Sequence, residues 1–134
     1  MAWTITAFVC IGLLAVIGVA QSATLRANRH VYGRPARSED DFAARFFPPE
    51  QWETAIQVRR LLAPYLPVNA ARIEPSDRLT DDLGLAARMA YGLDSVAFVE
   101  DLEATFNICF DELDHQRLRT FRDAVERVAE KITA

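Results

Sequence analysis

The sequence predicts an all-α protein: a small bundle of three main helices and one short one over 48–134, preceded by one transmembrane helix. Three observations predict it. The first 25 residues carry no charged side chain. Three later segments repeat apolar residues at spacings of three and four, the period of a helix with one buried face. Nothing in the chain alternates apolar and polar residues as a strand would.

At 134 residues the chain has room for one domain and an appendage. The first element is Ala2 to Ala20, AWTITAFVCIGLLAVIGVA, which is nearly continuous apolar sequence, and the uncharged stretch runs on through Leu25. About 20 residues at 1.5 Å each match the roughly 30 Å hydrocarbon core, so 1–25 is expected to be a membrane anchor with Trp3 at the interface. Arg26, Arg29, Arg34 and Arg37 follow it and no charged side chain precedes it, which places the C-terminal domain in the cytoplasm of a single-pass membrane protein. The competing reading is a cleaved secretory signal ending near Gly18-Val19-Ala20, against which stands the missing basic n-region.

Residues 26–47 mix charge with Gly33 and Pro35 and read as a juxtamembrane linker without a fixed fold. Within it Phe42, Phe46 and Phe47 are the exception, as a short amphipathic helix lying on lipid or, the plainer reading, packing on the domain. Pro48-Pro49-Glu50 marks the first helix start, with proline at the first helical position and an acid near the positive end of the dipole. Trp52, Ala55, Ile56, Arg59 and Leu62 form its stripe, widened by Val58, Leu61 and Tyr65, and Pro64 and Pro67 end it. The long connection from Val68 to Tyr91 has apolar anchors at Ile73, Leu79, Leu83 and Leu85, which makes it a structured loop.

Asp94 opens the next helix, whose apolar stripe is Val96, Phe98, Val99, Leu102 and Phe106, with Glu100, Asp101 and Glu103 mostly opposite. A brief helix is expected at Asp111 to His115. Thr120 caps the last one, in which Phe121, Ala124, Val125, Val128, Ala129 and Ile132 are the apolar face.

Charge narrows the partners. From Glu74 to Asp114 there are eleven acids against Arg78 and Arg88 alone, which disfavours nucleic acid and favours a cationic protein surface. Cys10 and Cys109 lie in unlike segments and read as small apolar side chains. His30 and His115 have no Cys or His at ligand spacing, so no metal is expected. Nor is there a Ser-His-Asp constellation or a phosphate-cradling glycine loop, and the chain is not expected to be an enzyme.

Arg72 to Gly84, RIEPSDRLTDDLG, resembles the loop leading to the prosthetic-group serine of acyl carrier proteins. LDSVAFVEDLE (93–103) resembles that family's recognition helix, ATFNI (104–108) its end, and TFRDAV (120–125) the start of its last helix. The resemblance covers roughly residues 50–132, and the order and spacing of these short motifs carry it. It implies an acyl-carrier-like four-helix bundle. It also implies 4′-phosphopantetheine on the serine of Asp94-Ser95-Val96, installed by a phosphopantetheinyl transferase and carrying acyl groups as thioesters for lipid or polyketide-type synthesis. Glu100, Asp101 and Glu103 would then dock on basic patches of acyl-transfer or synthase enzymes, with the membrane helix concentrating the carrier near them.

Two departures bear on that implication. Nine residues, LAARMAYGL, separate Gly84 from Asp94, where the family usually has one. Counting back without gaps from Leu102-Glu103 and Phe106 puts Gly92 at the family's serine position, and in that register Ser95 lies one turn inside the helix. Ser95 is then a helix-start residue, and the chain a non-enzymatic adaptor that docks through its acidic helix without a prosthetic group.

Overall fold

The structure is a computed structural model that describes residues 2–85 and 93–133. Among the described residues six α-helices follow one another: α1 (Ala2–Val31), α2 (Glu39–Phe46), α3 (Trp52–Leu62), α4 (Leu93–Phe106), α5 (Glu112–Arg117) and α6 (Phe121–Thr133), with short 3-10 turns at Pro49–Gln51, Ala63–Tyr65 and Ala70–Arg72. Among the described residues there is no strand, only an isolated antiparallel bridge between Arg78 and Thr120. The all-α expectation therefore holds, and the helices expected after Pro48, before Val96, at Asp111 and after Thr120 are α3 to α6.

The N-terminal expectation does not hold. Among the described residues no helix is long and apolar enough to cross a membrane. The transmembrane helix over 1–25 is overturned, and the single-pass membrane localisation with a cytoplasmic domain falls with it. The exposed large apolar side chains described in α1 are Phe8, Val9, Ile11, Leu13, Leu14 and Leu25. The other end of the helix carries Arg26, Arg29 and His30 and buries Ala27 and Val31 in the protein core.

Nor is 26–47 an unfolded linker. Ser38 caps α2 by accepting from Asp41 N at 3.2 Å, and three acids occupy its first turn. Phe42 projects from α2 into the centre of the protein, fully buried, with ring centroids 5.4 Å from Phe121, 5.5 Å from Phe46 and 5.9 Å from Phe47. The packing alternative for these phenylalanines is the one the fold adopts.

Around Phe42 the core collects Ala55, Val58 and Leu62 of α3, Phe98 and Leu102 of α4, and Phe121, Ala124, Val125 and Val128 of α6. The expected loop anchors Ile73, Leu79, Leu83 and Leu85 are buried with them. Arg59 sits on the buried side of α3 because its charge is accommodated twice. Its guanidinium lies 4.9 Å above the Phe42 ring, and Nη2 donates to the Arg37 carbonyl at 3.0 Å. Burial pushes its pKa down from the ordinary arginine value.

The last helices are separated by explicit stop and start signals. Asn107 takes a left-handed φ of 53°, which asparagine tolerates, and Ile108 N donates back to the Glu103 carbonyl at 3.1 Å, closing α4. Asp111 and Asp114 then cap each other's backbone N–H at 2.8 and 3.0 Å, and Thr120 and Asp123 do the same at 3.1 and 3.0 Å.

Asp114 has a second role. It is buried on α5 and meets Lys131 Nζ at 2.8 Å and Arg127 Nε at 3.4 Å from α6. The Lys131 hydrogen bond, helped by the Asp111 backbone and the charges of Lys131 and Arg127, outweighs burial and holds its carboxyl below the ordinary range. A carboxylate whose folded pKa is depressed adds stability above the unfolded value of about 3.9 and loses it as pH falls through the lower folded value. Asp114→Asn keeps an acceptor for the Asp111 N–H but loses the charge that Lys131 and Arg127 meet, and is therefore expected to cost about 1 to 2 kcal/mol near neutral pH. The gap to the native chain should close below about pH 4, read from thermal unfolding at stepped pH. A gap that stays constant into acid would exclude the ion pairs as its source.

Candidate functional site

The loop from Glu74 to Leu85 is held on two sides and offers a third. Toward α6, Leu79 N donates to the Arg119 carbonyl at 2.9 Å, Phe121 N to the Asp77 carbonyl at 3.1 Å and Arg122 N to the Pro75 carbonyl at 2.9 Å. Within the loop, Asp82 turns back on Arg78, accepting from its backbone N at 2.8 Å and its Nε at 3.4 Å. Burial opposes this charge, but the bonds from Arg78 prevail and hold the Asp82 carboxyl below its ordinary range. The turn closes through Gly84 N to the Thr80 carbonyl at 3.1 Å and Leu85 N to the Leu79 carbonyl at 2.9 Å. Gly84 supplies the φ of 69° that this requires.

The third side of this loop faces α4 across a cleft of about 470 Å³. Leu79, Leu85, Phe98, Val99 and Leu118 form its apolar lining, and Thr80, Val96, Glu100, Glu103 and His115 complete it. An apolar cleft with a few polar groups at its edge is the ordinary build of a small-ligand site.

The acids of α4 are not equivalent. Glu100 is exposed. Asp101 is half-buried and accepts the Tyr65 hydroxyl, tying α4 to the turn after α3. Glu103 is half-buried as well, and its Oε2 accepts from Phe110 N at 3.0 Å, bracing the connection to α5. Of the three acids expected to dock partners, Glu100 is therefore the exposed one, and Asp101 and Glu103 are engaged inside the chain.

The backbones of Asp94 and Ser95 lie in the first described turn of α4. Their side chains, the attachment chemistry they imply, Gly92, and the inserted stretch after Leu85 lie outside the described residues.

One cluster has no counterpart in the sequence reading. Asp77, 2% exposed, accepts from Arg34 Nη1 at 2.7 Å and Nη2 at 3.1 Å, and from Glu74 N at 2.8 Å. His30 Nε2 lies 2.9 Å from Asp77 Oδ1 and 4.0 Å from Asp82 Oδ2. Forty-seven positions separate His30 from Asp77, so no local spacing announces the contact. One donor atom from each of His30, Asp77 and Asp82 falls within 4.8 Å of the others, a separation compatible with a metal ion. Arg34 argues for a different role, since its two-pronged bond already brings positive charge to Asp77 and raises the Arg34 pKa in return. The arrangement is an ion-paired fastening of the end of α1 onto the loop.

No protein-family model matches the chain, and no solved structure matches it.

Proposed function

We propose that this chain is a non-enzymatic acyl-carrier module. In this reading Ser95 is the attachment point for 4′-phosphopantetheine, and the cleft between the 79–85 turn and α4 shelters the apolar chain it bears. The observation that carries the reading is the cleft itself, about 470 Å³ and lined by Leu79, Leu85, Phe98, Val99 and Leu118, beside the helix whose first described turn contains Ser95. The residues fit such a group in the respect that matters for storage, because an apolar lining takes up a hydrocarbon chain and keeps water from it.

When bound, the group supplies a thiol on a long arm for thioester exchange. The protein's own part is to hold that arm through the Ser95 hydroxyl, to cover its cargo, and to present Glu100 to cationic surfaces of the transferase and of acyl-transfer or synthase enzymes. Catalysis belongs to those partners.

Intact mass spectrometry of the full chain, after incubation with an active phosphopantetheinyl transferase and coenzyme A, tests the reading. One increment of a single phosphopantetheine is expected, and Ser95→Ala should abolish it. No increment, with a control carrier fully modified in the same mixture, overturns the carrier and leaves a docking module without a prosthetic group.

A further inference from the structure

The same loop that walls the cleft is the one that α1 grips. Asp77, which takes His30 and Arg34, lies two residues before Leu79 of the cleft lining. Asp82 Oδ2, 4.0 Å from His30 Nε2, is the oxygen that accepts Arg78 N and closes the turn displaying Leu79 and Thr80. The grip therefore reaches the cleft wall from both ends. On its other flank the wall rests on the segment just before α6 through Leu79 N and the Arg119 carbonyl, so a shift in the loop has little room except toward the cleft. Ala27 and Val31, buried on either side of His30 in the sequence, fix the last turns of α1 in the core and give the grip a stationary base.

We propose that the end of α1 is a latch on the cleft: the His30–Arg34–Asp77–Asp82 cluster holds the 77–85 turn in the shape that receives an apolar chain. Occupancy of the cleft and integrity of the latch are then coupled, and each strengthens the other. His30 and Arg34 are positioning residues in this scheme, acting through the loop without touching the ligand. The inference rests on the reading of the cleft as an apolar-chain site.

The chain has two histidines, and they report the two places separately: His115 lines the cleft and His30 sits in the latch. The test is an NMR titration of both imidazoles in the full chain with n-octanol as the apolar probe. Both signals are expected to move with one shared midpoint, and Asp77→Asn to raise the His115 midpoint by about five-fold, the lower end of typical coupling between sites. Should Asp77→Asn unfold the chain, Arg34→Lys serves instead, since it keeps the charge and loses the two-pronged bond. Movement of His115 alone, with its midpoint unchanged in the variant, overturns the latch and leaves the cleft reading standing. Movement of neither overturns both. Val96→Trp, placed to fill the cleft, should silence both signals. A His30 signal that still moves in that variant shows the probe acting on α1 directly, which also overturns the coupling.

Discussion

Replacing Phe42 with alanine is expected to destabilise the protein by about 3 to 5 kcal/mol, the range for removing a large aromatic from a packed core. Its ring is fully buried and meets three other phenylalanines, Phe46 and Phe47 from its own segment and Phe121 from α6. The upper part of the range is expected because the ring is also the surface on which the Arg59 guanidinium rests. Arg59 is 7% exposed and its Nη1 has no hydrogen-bond partner, so without the ring a buried charge loses its main compensation. Phe42→Leu, which retains much of the volume, should cost less than half as much. Urea unfolding at constant slope measures both. A loss below about 1 kcal/mol for Phe42→Ala would mean that α2 packs outside the cooperative core, since so small a value suits a surface position.

Phe42 also shows where sequence reasoning stops. The period of three and four that reveals α3, α4 and α6 needs several apolar residues on one face, and α2 has eight residues with charge at half of them. Its phenylalanines therefore register as an exception inside a polar stretch, although one of them is the centre of the core. The elements with local signals were legible: proline at 48 and 49, Thr120 as a cap, and Leu79, Leu83 and Leu85 as anchors of a loop that has a defined shape. The end of α1 was not, because Ala27 and Val31 are buried by tertiary contact in a segment whose arginines suggest water.

The candidate site divides along the same line. That Glu100, Asp101 and Glu103 lie on one acidic helix follows from their spacing. That Tyr65 and Phe110 N engage two of them depends on residues brought in by the fold. The cleft is a product of the 79–85 turn meeting α4, and single residues give no sign of it.

Asp77 is the polar position with the largest expected effect. Its carboxylate is 2% exposed and serves four hydrogen bonds, two from Arg34, one involving His30 and one from the Glu74 backbone. Asp77→Ala strands those partners. Breaking a fully buried pair costs about 3 to 5 kcal/mol, but Arg34 is 19% exposed and His30 34%, so both regain some water and about 2 to 3 kcal/mol is expected here. The double variant Asp77→Ala with Arg34→Ala should lose less than the sum of the single variants by about 1 kcal/mol or more, because the arginine is no longer left without its acceptor. Simple additivity would show that the pair contributes no coupling. The exposed pair of Arg78 with Asp81 supplies the contrast, at 60% and 66% exposure, and Asp81→Ala should change stability by no more than about 0.5 kcal/mol. The loss at Asp77 should also be local in a readable way. Amide exchange in Ala27 to Val31 is expected to quicken ahead of α6, since the carboxylate fastens the end of α1 while α6 keeps its apolar face and its own cap. Equal loss of protection in both would place Asp77 in the global folding unit, with no special relation to α1.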